Sequence, residues 1–365
     1  MIAALVGPEG QAAFGLNGAA RLLRQFPRTG LVAGTPDVAG VILRADHVYG
    51  AGVLAALAEA APGTVLTGAD GRAVGARMDD ASRDWAIALV EGLGTVEALP
   101  DGARALTGVE LAGRYDQKLR KKADPLVMPA ADRVAVERAL FDASYKGVTD
   151  LVTKRVWPRP ALAVTRWCAL NGITPNQVTW ASLVMVLAAF SLFWQGEFAM
   201  GLTAAWIMTF LDTVDGKLAR VTVSASKLGD VLDHGIDLIH PPFWWWAWAV
   251  GCANIGQPLD DGGLAVGVIV AGYIAQRLEE GWFIARYGIE MHIWRRFDSV
   301  FREITARRNP NLLILMGFTL AGAPRAGLIA VAWWTAICFG VHLVRVVQAE
   351  AARRRGPLTS WMMAA

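Results

Sequence analysis

This sequence has little charge and few cysteines. Charged residues make up 18% of its 365 residues, whereas soluble domains usually carry about 25%. The net charge is only +3, which argues against nucleic acid as a partner. Cys168, Cys252 and Cys338 lie far apart in apolar surroundings, with the spacing of neither metal ligands nor a disulfide framework. A disulfide-rich secreted protein and a cysteine-based metal protein are therefore excluded.

The N-terminus also lacks the features of a secretory signal. Its first residues, MIAALVGPEG, contain neither a basic leader nor a long apolar core. We therefore expect the front part of the chain to stay in the cytosol.

The apolar residues that are present are unevenly distributed. Hydrophobic residues make up 54% of the chain, and most of the 15 tryptophans lie from Trp157 onwards. Tryptophan favours membrane interfaces, because both its apolar ring and its N–H are satisfied there. The sequence therefore predicts an α-helical membrane domain behind a small soluble domain.

The front domain, residues 1–110, alternates short apolar runs with helical patterns. This alternation is typical of an α/β layer with a partly parallel sheet. The predicted strands are Ile2–Val6, Gly30–Ala33, Val41–Arg44 and Thr64–Thr67, and the predicted helices are Gly18–Gln25, Ala51–Ala60 and Ala81–Leu93.

Residues 111–160 form a basic, amphipathic connector. It is either a solvated linker helix or a helix at the anionic cytoplasmic leaflet, with Trp157 at the interface. Its basic cluster consists of Arg114, Lys118, Arg120, Lys121 and Lys122.

Residues 161–350 contain six apolar segments, each read as a transmembrane helix although some are short. Lys and Arg concentrate near 216–228, in 286–308 and in the tail 351–365, while the opposite loops carry only Arg325. The positive-inside rule then places both termini in the cytosol, in a multi-pass protein of the cell (inner) membrane. The predicted spans are 178–195, 198–215, 234–253, 263–285, 310–323 and 326–347.

Four aspartates stand at the cytosolic ends of the second and third predicted spans. Asp212 and Asp215 are three residues apart, and Asp233 and Asp237 are four apart, so each pair shares a helix face. A short polar loop joins the two helices and allows all four carboxylates to meet. Clustered carboxylates near hydrocarbon are costly, and a bound cation is the simplest compensation.

The oxygen-only ligand set favours Mg²⁺ or Mn²⁺ over zinc. Two such ions could hold a pyrophosphate during displacement at phosphorus. Gly216, Ala219 and Gly229 leave room for a nucleotide, and Arg220 can donate to its phosphates. One such aspartate could be a simple helix cap, but four at helical spacing favour a site.

The segment from Asp212 to Asp237 resembles the signature of the CDP-alcohol phosphotransferase (CDP-alcohol phosphatidyltransferase) family. The shared residues are Asp212, Asp215, Gly216, Ala219, Arg220, Gly229, Asp233 and Asp237, and Thr174-Pro175-Asn176 precedes the first span. The resemblance implies a homodimer that moves a substituted phosphate from a CDP-alcohol to an acceptor hydroxyl and releases CMP. It further implies that the four aspartates bind metal, that Asp237 is the base, and that Gly216, Ala219, Arg220 and Gly229 line the CDP site.

The acceptor side is predicted from arginines near the fourth and fifth spans. Charges at membrane depth usually mark a substrate path. The soluble front and the stretch ITARRNPNLLIL resemble the branch containing di-myo-inositol-phosphate phosphate synthase, which implies an inositol phosphate or another phosphorylated polyol. The candidate ligands are Arg277, Arg286, Arg307 and Arg308.

The front domain resembles a degenerate nucleotidyltransferase. The strand-like segment VILRADHVYG would make Asp46 a metal ligand, but the region VGPEGQAAFGLNGAARLL lacks a tight Gly-x-Gly loop for phosphates. We expect this domain to be inactive.

Three alternatives remain open from the sequence. The enzyme could make phospholipid from CDP-diacylglycerol or with a lipid acceptor, or it could be bifunctional and make its own CDP-alcohol. A cation-coupled transporter is a third possibility, although no related halves are visible.

Overall fold

The structure is a computed structural model of the chain. It describes residues 1–112, 115–116, 119–122, 125–260 and 263–363, so Arg114 and Lys118 of the basic connector lie outside the described residues. Some side chains within these ranges are also outside the description: those of Ala98, Tyr115, Asp116, Lys122, Lys227, Leu228, Asp230, Asp233 and His234.

The chain forms two compact units. The front unit contains Met1–Lys146, Arg166–Gly172 and Lys217–Ser224, and the helical unit contains Gly147–Thr165, Ile173–Gly216 and Ala225–Ala365.

The strands that the structure describes lie in the front unit. They are β1 (Ile2–Val6), β2 (Val32–Ala33), β3 (Val41–Arg44), β4 (His47–Tyr49), β5 (Thr64–Thr67), β6 (Ala73–Arg77), β7 (Arg104–Thr107), β8 (Tyr115–Asp116), β9 (Lys121–Lys122) and β10 (Val127–Pro129). The helices of this unit are α1 (Gly18–Thr29), α2 (Ala51–Glu59), α3 (Arg83–Glu91), α4 (Gly108–Ala112) and α5 (Arg133–Ala143).

Six strands form one mixed sheet in the order β2-β1-β3-β6-β5-β7. The pairs β1–β2, β1–β3 and β5–β7 are parallel, and β6 runs antiparallel to both β3 and β5. Ala3 and Leu43 face one apolar cluster, whereas Ala4 and Ile42 face another. A sheet covered on both faces requires apolar residues at successive positions, which explains the unbroken runs in β1 and β3.

Most of the remaining helices are longer. They are α6 (Leu151–Arg155), α7 (Pro158–Leu170), α8 (Pro175–Gln195), α9 (Phe198–Val221), α10 (Lys227–Asn254), α11 (Leu264–Tyr287), α12 (Arg296–Phe301), α13 (Arg308–Leu320) and α14 (Pro324–Arg353). Within the described residues, α8 and α14 are long and apolar enough to cross a membrane. Charged residues interrupt α9, α10 and α11, and α13 has only 13 residues. Six spans therefore stay a prediction.

Local sequence explains where α8 begins and how it meets α10. Thr174 and Gln177 form a capping box, and Pro175 occupies the first turn, where its missing N–H costs nothing. Phe193 of α8 packs on Trp248 of α10, with ring centroids 5.0 Å apart. A Cβ on Gly251 would lie 1.9 Å from the Phe193 carbonyl oxygen, so only glycine permits this close approach.

Candidate active site

The predicted aspartates lie on two neighbouring helices, Asp212 and Asp215 on α9, and Asp233 and Asp237 on α10. Arg308, in the first turn of α13, bridges the two helices. Its Nη2 donates to Asp212 Oδ2 at 2.5 Å, and its Nη1 donates to Asp237 Oδ1. One residue predicted to bind the acceptor and two residues predicted to bind metal therefore lie in one site.

Asp215 lies deeper than Asp212 and Asp237, with only 3% of its surface exposed. Its Oδ2 accepts a hydrogen bond from Thr179 Oγ1 of α8 at 2.7 Å, while its Oδ1 has no hydrogen-bond partner among the described residues. A buried carboxylate oxygen without a donor is costly, and a cation would relieve that cost.

The metal prediction concerns the carboxylates of these two helices. Asp212, Asp215 and Asp237 supply the oxygen donors that Mg²⁺ prefers. The side chain of Asp233, however, lies outside the described residues. Among the side chains that are described, no three His, Cys, Asp or Glu residues come close enough together to hold an ion. The donor chemistry fits a divalent cation, and the full ligand set stays a prediction.

The predicted CDP-site residues occupy the end of α9 and the start of α10. Gly216, Ala219 and Arg220 lie in the last two turns of α9, and Gly229 lies in the first turn of α10. Gly229 donates its N–H to Ser226, the N-cap of α10. A Cβ on Gly229 would lie 2.9 Å from Asn176 Oδ1, so a larger residue would displace Asn176.

The four predicted acceptor arginines have different surroundings. Arg308 contacts the aspartates, whereas Arg307 forms an ion pair with Glu280 of α11. Arg277 lies 5.4 Å from the ring centroid of Tyr273. Arg286 instead pairs with Glu350 at 2.9 Å, near the exposed ends of α11 and α14.

The start of α13 is held by residues that the sequence analysis did not identify. Asn309 Nδ2 donates to Asp150 Oδ1, the N-cap of α6, at 3.0 Å. Burial alone would raise the pKa of Asp150, but hydrogen bonds from the Thr153 N–H and from Asn309 outweigh it and lower the pKa. An ionised Asp150 therefore fixes the helix turn that carries Arg308.

Tyr273 and Thr179 were also missed. The Tyr273 hydroxyl lies 3.4 Å from the carbonyl oxygen of Asp237 and 3.3 Å from that of Leu238. Thr179 stands four residues after Pro175, so its helix face could have been inferred from the Thr-Pro-Asn segment. Nothing local in the sequence marks Tyr273.

An apolar groove of about 520 Å³ lies between α8 and α10. Gly235, two residues before Asp237, lies along it. Almost all of its lining is apolar, from Leu183, Val186, Leu187, Phe190, Val231, Leu232, Gly235, Ile236, Ile239, His240, Phe243 and Trp244.

Asp46 of the front unit, predicted as a metal ligand apart from the four helical aspartates, is held by two neighbours. Arg44 Nε and Nη2 donate to its two oxygens at 2.8 and 2.6 Å, and His47 Nδ1 lies 2.7 Å from Oδ1. Burial would raise the pKa of Asp46, but the hydrogen bonds from Arg44 and His47 lower it below its ordinary value. The guanidinium thus occupies both carboxylate oxygens.

Comparison with known proteins finds a family whose match covers the four aspartates. The family described as CDP-alcohol phosphatidyltransferase matches residues 172–306. Archaetidylinositol phosphate synthase of Pyrococcus horikoshii is 39% identical over 80 residues, which is 22% of this chain and 42% of that protein. Phosphatidylinositol phosphate synthase of Mycobacteroides abscessus is 31% identical over 91 residues, which is 23% of this chain and 41% of that protein.

The chain thus spans less than half the length of each curated relative that it matches. The family match nevertheless covers the whole signature from Asp212 to Asp237, together with Arg277 and Arg286. The chain therefore carries a CDP-alcohol phosphatidyltransferase domain at residues 172–306.

Proposed function

We propose that this chain transfers a lipid-linked phosphate group from a CDP-lipid to a hydroxyl of a phosphorylated polyol such as inositol phosphate. The observation that carries the proposal is the contact of Arg308 with both Asp212 and Asp237. An arginine suited to an acceptor phosphate lies against two signature carboxylates, so acceptor and donor chemistry share one site.

The groove between α8 and α10 indicates the class of donor. A volume of about 520 Å³ with an almost wholly apolar lining suits hydrocarbon and not a sugar or polyol. Two of its lining residues, Gly235 and Ile236, directly precede Asp237. The groove therefore favours a CDP-lipid over a water-soluble CDP-alcohol. The names of the two relatives, both inositol phosphate lipid synthases, agree with this choice.

The reaction is a displacement at the phosphorus that bears the lipid alcohol. The acceptor hydroxyl oxygen forms a bond to that phosphorus, the bond from phosphorus to the CMP oxygen breaks, and CMP leaves with the bonding electrons. Asp237 accepts the hydroxyl proton, and Arg308 orients the Asp237 carboxylate. A divalent cation held by Asp212, Asp215, Asp233 and Asp237 would neutralise pyrophosphate charge.

The experiment uses the full chain in lipid nanodiscs with Mg²⁺, CDP-diacylglycerol or CDP-archaeol, and either inositol phosphate or free inositol. We expect release of CMP and a lipid inositol phosphate, identified by mass spectrometry. Asp237→Asn should retain CDP-lipid binding and lose about 100-fold or more in kcat, because the amide cannot accept the proton. No CMP release with either donor would overturn the proposal, and near-normal turnover of the variant would overturn the role of Asp237.

The topology and assembly follow as part of the same proposal. We propose six spans with both termini and the site on the cytoplasmic face, and a homodimer, on loop charge and family resemblance. Cysteine labelling from each side of sealed vesicles tests the orientation, and light scattering of the detergent complex tests the dimer.

We also propose that the front unit does not make the CDP-alcohol. The pairing of Asp46 with Arg44 supports this, because the same oxygens would be needed for metal. CTP consumption with an alcohol phosphate and the full chain would instead support the bifunctional alternative. Ion uptake into vesicles without CMP release would support the transporter.

A further inference from the structure

A group of buried polar side chains between α11 and α14 has unsatisfied hydrogen-bonding capacity. Gln276 and His342 are each 2% exposed. Neither amide atom of Gln276, neither ring nitrogen of His342 and neither carboxylate oxygen of Glu279 has a hydrogen-bond partner within the described residues. Burying such groups without hydrogen-bond partners is costly in an apolar setting. A bound ligand with several polar groups would complete these bonds.

Helix packing brings these three side chains together. A Cβ on Gly272 of α11 would lie 2.5 Å from Thr335 Cγ2 of α14, so glycine allows the two helices to approach closely. Seven residues further along each helix, Glu279 Oε2 lies 3.6 Å from His342 Nδ1. Because the step is seven residues in the same direction along both helices, α11 and α14 run parallel. Gln276 lies four residues after Gly272 and shares its face.

This group adjoins the candidate active site on both sides. Tyr273, one turn before Gln276, reaches the backbone of Asp237 through its hydroxyl. Glu280, next to Glu279, pairs with Arg307, the residue that precedes Arg308. Groups bound between α11 and α14 would therefore lie near residues that contact the Asp237 backbone and Arg307.

The charge of this region favours neutral hydroxyl groups over a phosphate group. Glu280 is compensated by Arg307 and also lies 2.8 Å from His292 Nε2. Burial lowers the pKa of His292 to about 3, so this histidine is neutral at physiological pH. Glu279 has no hydrogen-bond partner in the part of the chain that the structure describes, and His342 Nδ1 lies 3.6 Å from its Oε2. An anionic phosphate would be repelled by Glu279, whereas neutral hydroxyls can donate to the carboxylate and pair with the amide and imidazole.

We propose that Gln276, Glu279 and His342 form a hydroxyl-binding subsite that recognises the polyol ring of the acceptor. The arginines predicted to bind the acceptor would then contact its phosphate. The subsite rests on the proposed function and specifies which acceptors that function uses. It selects acceptors with several ring hydroxyls over shorter alcohol phosphates, because a buried polar site rejects a ligand that leaves its groups unpaired.

The test compares two acceptors in three variants of the full chain. The acceptors are inositol phosphate and glycerol 3-phosphate, and the variants are Glu279→Gln, Gln276→Leu and the control Glu350→Gln. Glu350 accepts from Arg286 and Tyr287 between the same two helices, so its carboxylate is already satisfied. We expect KM for inositol phosphate to rise about tenfold or more in the first two variants. KM for the CDP-lipid and for glycerol 3-phosphate should change less than about twofold, and the control should match wild type.

Equal effects on both acceptors, or no effect on either, would overturn the subsite. An unchanged KM for the CDP-lipid reports that the variants are folded. If wild type releases no CMP, the proposed function fails, and titration calorimetry with inositol phosphate then decides the subsite alone. Tighter binding by wild type than by Glu279→Gln supports it, and equal binding overturns it.

Discussion

At the scale of single residues, Arg308 determines how the negative charge of the aspartates is compensated. Its guanidinium contacts Asp212 and Asp237, and only 14% of the Arg308 side chain is exposed. One guanidinium compensates only part of the charge of two carboxylates, and a divalent ion must compete with Arg308 for their oxygens. Removing the guanidinium therefore has opposite effects on metal affinity and on turnover.

We predict that Arg308→Gln binds Mn²⁺ about tenfold more tightly, because a charge-assisted hydrogen bond is worth about 1.5–3 kcal/mol. The same variant should lose about 100-fold in kcat, since the acceptor and Asp237 are no longer oriented. Electron paramagnetic resonance titration measures the metal affinity without turnover. Arg286→Gln is the control for the metal affinity alone, because Arg286 pairs with Glu350 instead of an aspartate. Weaker metal binding by Arg308→Gln would contradict the competition.

At the scale of elements, α8 and α10 determine what the donor can carry. Their contact is close at the Phe193–Gly251 end and open along the groove that includes Leu187 and Gly235. A hydrocarbon chain in this groove would be buried close to Asp237, which follows the lining residues Gly235 and Ile236. The length of the donor's acyl chains should therefore matter to binding and not to chemistry.

We predict that Leu187→Trp raises KM for long-chain CDP-diacylglycerol several-fold, since filling the groove removes apolar area worth about 25 cal/mol per Å². The effect on a donor with four-carbon chains should be small, and kcat should be unchanged. Val184→Trp is a matched control, because Val184 is also exposed on α8 and is absent from the groove lining. Equal effects of the two substitutions, or of the two donors, would argue against lipid in the groove.

Element prediction succeeded where side-chain pattern alone determines structure. The predicted strands Ile2–Val6, Val41–Arg44 and Thr64–Thr67 have those bounds in the structure. β6 (Ala73–Arg77) was missed because its alanines and glycine have low strand propensity. It forms because β3 and β5 flank it, and a Cβ on Gly75 would lie 2.9 Å from Leu43 Cδ2. Packing within the sheet therefore overrides local preference.

At the scale of the whole molecule, a buried ion pair in the front unit makes the stability of the fold depend on pH. In the front unit Asp46 is paired with Arg44, which is 4% exposed. The pairing lowers the pKa of Asp46 below 3.8. A lowered pKa in the folded state stabilises the fold at pH values above the unfolded pKa, and this stability is lost as pH falls through the folded pKa.

We predict that Asp46→Asn speeds hydrogen exchange in β1 and β3 at pH 7, because Arg44 is left buried without its carboxylate. The difference between variant and wild type should shrink below about pH 4, where Asp46 becomes protonated in both the unfolded and, finally, the folded chain. Exchange measured by mass spectrometry on the full chain, with rates corrected for pH, checks this. A difference that grows on acidification would contradict the pairing, and Asp70→Asn at an exposed aspartate is the control.

The sequence by itself determined the family signature and the chemical character of the site. Spacing of three and four residues places Asp212 with Asp215 and Asp233 with Asp237, since helix periodicity is a local property. Tertiary structure alone decided which cations meet these carboxylates. Arg308 lies 96 residues beyond Asp212 along the chain, and Glu279 lies 63 before His342. Such contacts depend on how helices pack, and packing is set by the close approach of residues such as Gly272 and Thr335, which no local pattern encodes.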